Sequence, residues 1–170
     1  FDRTVNQERL HFASEMTLLK RVDGDDASNG ASYLELVDFL AREGAQATSD
    51  LEQLWRRIVF FICVSNVDDH LRNHGFVLQP RGWSLAPAYD MNPVATGDGL
   101  RLNISETDNA QELDLALSVA EYFRVKKPQA AKIILEVKTQ VRSWRQVATR
   151  AEISGGEQDR MARAFRAAET

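Results

Sequence analysis

Apolar positions recur at helical spacing through much of the chain, and the clearest run is "LEQLWRRIVFFICV". There Leu51, Leu54, Trp55, Ile58, Val59, Ile62 and Cys63 fall on one helical stripe. Toward its end this helix becomes apolar nearly all round, which predicts burial there. Ser49 and Glu52 have the S-x-x-E spacing of a capping box and predict its start. The same spacing at Ser32 and Glu35 predicts a helix over "YLELVDFLARE" that stops at Gly44, and at Ser154 and Glu157 a last helix ending near Phe165. Pro128 suits a first helical turn, so one long helix is expected through "QAAKIILEVKTQVRSWRQVA", preceded by a helical "LDLALSVAEYF".

The period changes after residue 74. "HGFVLQPRGWSLAPAYD" holds two short β-prone runs around Gln79, Pro80, Arg81 and Gly82 and reads as a hairpin. Residues 92–111 are rich in Gly, Asn and Asp and predict a loop, with a short strand at "LRLNI". The first thirty residues mix charge with apolar positions and end in the polar "RVDGDDASNG". The pattern predicts a mainly α protein with one small hairpin, and no repeat, low-complexity tract or linker interrupts it.

Composition narrows the class. A chain of 170 residues, 44% hydrophobic and 27% charged, reads as one globular domain. No apolar run reaches the roughly 18 residues of a membrane helix, and "FDRTVNQERL" lacks a signal peptide's apolar stretch, so a cytoplasmic protein is expected. Cys63 is the sole cysteine, placed as a small buried hydrophobe inside "FFICVS". A net charge of −4 discourages direct contact with a nucleic-acid backbone, so any link to DNA would run through a partner.

Candidate chemistry concentrates in "SNVDDHLRNHGF", where Asn66, Asp68, Asp69, His70 and Asn73 follow the apolar helix directly. Asp68 and Asn73 are five apart, and Asp90 lies beyond the hairpin in "PAYDMNP". That arrangement suits phosphoryl transfer from ATP. One carboxylate accepts or orients the acceptor hydroxyl, while an amide and a second carboxylate hold magnesium on the nucleotide phosphates. Magnesium takes oxygen ligands and keeps several waters, so Asn73 and Asp90 suffice as its protein ligands. Asp69 reads as a solvated loop acid and His74 as a surface or capping histidine. Tyr89 is either a core aromatic or a side chain packed on the loop.

The longer string is more specific than the spacing alone. "NVDDHLRNHG" followed by "LAPAYDM" resembles the signature of the HipA family of bacterial serine/threonine kinases, toxins of toxin–antitoxin pairs, in which N-x-D-x-H-x-x-N precedes a hairpin and a Y-D dipeptide. The resemblance extends to "FDR", "SYLELVDFL", "VAEYF" and "AAKIILEV". It implies the helical C-lobe of a kinase-like fold, of the HipA and phosphatidylinositol 3/4-kinase kind, spanning residues 1–170. It further implies that Asp68 is the catalytic acid–base residue, that His70 and Asn66 brace the loop through hydrogen bonds, and that Asn73 and Asp90 bind magnesium and the nucleotide.

The implied partners are a protein substrate such as an aminoacyl-tRNA synthetase and a HipB-like helix-turn-helix antitoxin, with DNA reached only through the antitoxin. The chain contains neither G-x-G-x-x-G nor G-x-x-x-x-G-K-[ST], and Lys20 lies in no strand-like context, so a C-lobe fragment without its ATP-binding lobe is expected. Two other readings compete. A metal-dependent hydrolase would use His70 and His74, four apart, with Asp68 or Asp69. A catalytically inactive module would use an acidic surface to dock a basic partner.

Overall fold

A computed structural model describes residues 3–170; the match at Phe1 and Asp2 lies outside them. The order is β1 (Phe12–Ser14), α1 (Glu15–Leu18), α2 (Tyr33–Glu43), α3 (Ala47–Val64), β2 (Gly75–Gln79), β3 (Gly82–Leu85), α4 (Leu113–Ser118), α5 (Lys127–Val141), α6 (Trp144–Arg150), α7 (Gly155–Met161) and α8 (Arg166–Glu169). Helix therefore dominates, beside one three-stranded antiparallel sheet in the order β1-β2-β3. Among the described residues no helix is long and apolar enough to cross a membrane.

Helix α3 is the axis of the core and packs against α2, α4, α5, α8 and β3. Its predicted stripe is fully sequestered: Leu51, Leu54, Trp55, Ile58, Val59, Ile62 and Cys63 are all 0% exposed. Phe61 and Val64 join them at the C-terminal end, where the helix is apolar nearly all round. Burial pushes the Cys63 thiol up to about 11, so the residue acts as a packing group and not as a nucleophile.

Two of the three expected capping boxes form. Ser32 Oγ accepts from Leu34 N–H while Glu35 reaches back to Ser32 N–H, and Ser154 pairs with Glu157 in the same way. Ser32 Oγ also approaches the Asn103 and Ser105 carbonyls at 3.1 Å, tying α2 to the 100–105 segment. Ser32→Ala is expected to cost about 1 kcal/mol, the usual value of a lost N-cap, measured by urea denaturation.

Elsewhere the structure corrects the sequence reading. Helix α3 begins at Ala47 with no side-chain cap, because Ala45 N–H is held by the Trp83 carbonyl at 2.7 Å and the chain turns into the helix from that bridge. Ser49 Oγ instead bonds the Gln46 carbonyl. The expected long helix breaks at Arg142 and Ser143. Trp144 stacks on Phe165 at 4.1 Å, and Arg142 Nε donates to the Ala168 carbonyl, contacts that turn the chain into α6. Helical structure in "LDLALSVAEYF" ends at Ser118, and "LRLNI" contributes one bridge, Asn103 to Ser32, in place of a strand.

The hairpin forms as expected, with Phe76 opposite Leu85 and Gln79 opposite Gly82. Gly82 adopts φ +135°, and a Cβ there would collide with the Glu43 carbonyl at the end of α2, so this turn needs glycine. Strand β1, unforeseen in the mixed N-terminal pattern, pairs with β2 through Phe12 and Val77.

Candidate active site

The candidate loop starts where α3 stops. Ser65 caps the helix in the left-handed conformation, and Asn66 N–H returns to the Phe61 carbonyl at 2.9 Å. From there the backbone folds on itself: His70 N–H donates to Asp68 O and Asn73 N–H to His70 O, at 2.9 and 2.8 Å. The Asn73 amide Nδ2 also donates to Asp68 O at 3.3 Å. These bonds bring Asp68 and Asn73 together on one turn. Asp68 is exposed, and Asn73 is buried at 6% exposure.

Asp90 is delivered from the other side of the hairpin. Tyr89 is half-buried, and its hydroxyl donates to the Arg72 carbonyl at 2.7 Å, so it packs on the loop and sets Asp90 beside it in sequence. Asp90 itself is exposed with φ +55°, a left-handed conformation that aspartate adopts more readily than most non-glycine residues. Its Oδ1 accepts the Asn92 amide at 2.7 Å.

At His70 and Asn66 the hydrogen bonds run through the backbone, His70 N–H to the Asp68 carbonyl and Asn66 N–H to the Phe61 carbonyl. His70 is half-buried with Nδ1 unpartnered, and Asn66 is buried with Nδ2 unpartnered. The corrections concern Asp69 and His74. Asp69 is no solvated acid: it is 1% exposed, and Oδ2 accepts from the Tyr33 hydroxyl at 2.7 Å and from His74 Nε2 at 2.8 Å. His74 is no surface residue: it is 0% exposed, edge-on to Tyr33 and Phe61. Nothing in the local sequence distinguishes Asp69 from Asp68, since Asp69's partner Tyr33 lies 36 residues away.

These positions remove the geometry a hydrolase would need. Residues 65–74 are turns and not a helix, so His70 and His74 do not share a helical face, and His74 Nε2 is committed to Asp69. Among the described residues no three His, Cys, Asp or Glu side chains converge on a metal position. A groove of about 1010 Å³, lined by Phe60, Leu135, Trp144, Val147 and Ile153 among others, has none of Asp68, Asn73 and Asp90 in its lining.

The profile of the HipA-like C-terminal domain matches residues 1–145. No curated protein matches the chain. Among solved structures, the fold is similar to HipA of Shewanella oneidensis MR-1, determined as a toxin–antitoxin complex of HipA, HipB and operator DNA. The TM-score is 0.73 at 16% identity, over 99% of this chain and 45% of that one. The chain thus spans less than half the length of that HipA. With the profile extending from the N-terminal residues through α5, the chain belongs to the family of HipA-like C-terminal domains.

Proposed function

We propose that this chain is the catalytic C-lobe, kinase-like in fold, of an ATP- and magnesium-dependent protein serine/threonine kinase belonging to a toxin–antitoxin system. The observation that carries the reading is the meeting of two segments. The turn holding Asp68 and Asn73 is pinned by Tyr89 to the segment that presents Asp90 in a left-handed conformation.

Asp68, exposed on a hydrogen-bonded turn, orients the acceptor hydroxyl and receives its proton. The loop and the hairpin exit carry hard oxygen donors that fit magnesium. With Asn73 Nδ2 committed to Asp68 O, Oδ1 is the atom left to ligate, and Asp90 keeps a second oxygen beyond the one Asn92 holds. When bound, magnesium neutralises charge on the nucleotide phosphates. The acceptor is a protein hydroxyl, an aminoacyl-tRNA synthetase being the substrate class the family resemblance suggests. The Shewanella complex supports a HipB-like antitoxin as partner; on this reading DNA is contacted through the antitoxin and the protein works in the cytoplasm. The net charge of −4 accords with an indirect contact.

Asp90→Asn in the protein encoded by the full open reading frame is expected to weaken magnesium-dependent ATP binding and transfer by about tenfold or more, read by titration calorimetry with and without magnesium. Equal nucleotide affinity in the two proteins would remove Asp90 from the site. A partner-binding module without catalysis is the second reading, favoured by the apolar groove beside α5 and α6. It predicts a folded protein that shows no magnesium-dependent nucleotide binding.

A further inference from the structure

Beneath the loop lies a cluster of polar side chains that phosphoryl transfer, as described, does not use. Asp69 is its centre, with Oδ2 holding both the Tyr33 hydroxyl and His74 Nε2. Beside it, at the start of α1, Glu15 is 1% exposed, and neither Oε has a hydrogen-bond partner. The backbone closes the arrangement, because Glu15 N–H donates to the His74 carbonyl at 2.8 Å and Met16 N–H to the Leu71 carbonyl at 3.3 Å. The corner of β1 and α1 therefore holds the segment 71–74 through its main chain, while Tyr33 of α2 holds Asp69 through its side chain.

A buried carboxyl is tolerated when paired or when neutral. Asp69 is paired. Glu15 is not, and its surroundings decide its state. From the loop it faces the negative charge of Asp69, from α2 that of Glu35, and the guanidinium of Arg21 alone opposes them. Burial first, then those two charges, push the Glu15 carboxyl well above the usual carboxylate range. Tyr33 on α2 interacts with both acids, and its hydroxyl is likewise pushed up, first by burial and then by Asp69, so it remains an O–H donor. Arg57 of α3 also interacts electrostatically with Asp69, and Tyr89 with Glu15 and Asp69.

We propose that Asp69 is the positioning residue of the loop, holding Asp68 and Asn73 in place through Tyr33 and His74, and that Glu15 limits the pH range over which the loop keeps this geometry. Releasing the Glu15 proton would set a second buried negative charge against Asp69, with no hydrogen-bond partner and only the Arg21 guanidinium to oppose it. An uncompensated buried charge of this kind destabilises the packing of the loop on the core. The catalytic half of the proposal rests on the phosphotransfer reading; the stability half does not.

The sign of the stability effect follows from linkage. Above the ordinary glutamate value of about 4.3 the unfolded chain gives up this proton and the folded chain keeps it. The stabilisation is thus full below that value and is lost as pH rises toward the raised folded value. Glu15→Gln cannot ionise. In the full-length protein it is expected to raise the melting temperature relative to wild type at pH 7.5, with the difference shrinking toward pH 4. A difference that stays constant with pH would overturn the role of Glu15, whatever the protein catalyses.

For positioning, kcat and the nucleotide KM are read in Asp69→Asn and in Tyr33→Phe, the second removing one hydroxyl from a preserved ring. Misplacing a catalytic group by about 1 Å costs on the order of a hundredfold. A fall in kcat approaching that size, with KM unchanged, is expected for Asp69→Asn, and a smaller fall for Tyr33→Phe. If Asp69→Asn does not fold, Tyr33→Phe alone decides. Wild-type kcat in the folded variants, in a protein that Asp68→Ala silences, would overturn the positioning role and leave the phosphotransfer reading intact. Unchanged transfer in Asp68→Ala would instead remove that reading.

Discussion

Asp68→Ala in the protein encoded by the full open reading frame is expected to lower phosphoryl transfer about 100- to 10,000-fold, the range for loss of a general base. The fold gives this substitution unusual clarity. Asp68 is exposed, and the bonds that shape its turn use its main chain: its carbonyl accepts from His70 N–H and from the Asn73 amide. Alanine keeps that carbonyl. Stability should therefore move by no more than about 0.5 kcal/mol, as for an ordinary surface change. The decisive measurement is transfer of labelled phosphate from ATP, wild type against variant, with and without magnesium. Activity near the wild-type rate would end the assignment of Asp68, and a variant that lost both activity and its melting transition would make the residue structural.

The neighbouring acid shows where reading residues in order stops working. Asp68 and Asp69 are chemically identical and adjacent, yet one faces solvent and the other sits under the loop between Tyr33 and His74. The helical turn of α2 that brings Tyr33 there is specified locally, by the Ser32 and Glu35 capping box, but its destination is not. The same division holds through the chain. The apolar stripe of α3 and the β2–β3 hairpin are short-range patterns, and both are where the spacing places them. The break between α5 and α6 depends on Trp144 meeting Phe165, and the start of α3 on Ala45 meeting Trp83; helical periodicity contains neither contact. Within the site, the pairing of Asp68 with Asn73 was legible because one turn makes it. The burial of His74 was not, since three aromatic and acidic partners from α2, α3 and the loop enclose it.

The stability of that enclosure rests on α3, and Trp55→Ala is expected to cost about 3–5 kcal/mol, the range for truncating a buried aromatic residue. Trp55 is 0% exposed in the middle of the helix, and its indole N–H donates to the Ala116 carbonyl at 2.9 Å, joining α3 to α4. Truncation opens a large cavity and also strands that carbonyl, which places the loss toward the upper end of the range. Trp55→Phe keeps most of the packing and loses only the donor, so it should cost less. Against a typical total of about 5–15 kcal/mol the alanine variant is close to losing its fold, which urea denaturation would show as a lower midpoint. Because α3 carries the candidate loop at its C-terminus without contributing a reacting group, the fraction that stays folded should keep the wild-type nucleotide KM. A changed KM in folded Trp55→Ala would mean that the helix transmits its packing to the loop's geometry, and a cost below about 1 kcal/mol would mean that Trp55 does not anchor α3 to α4.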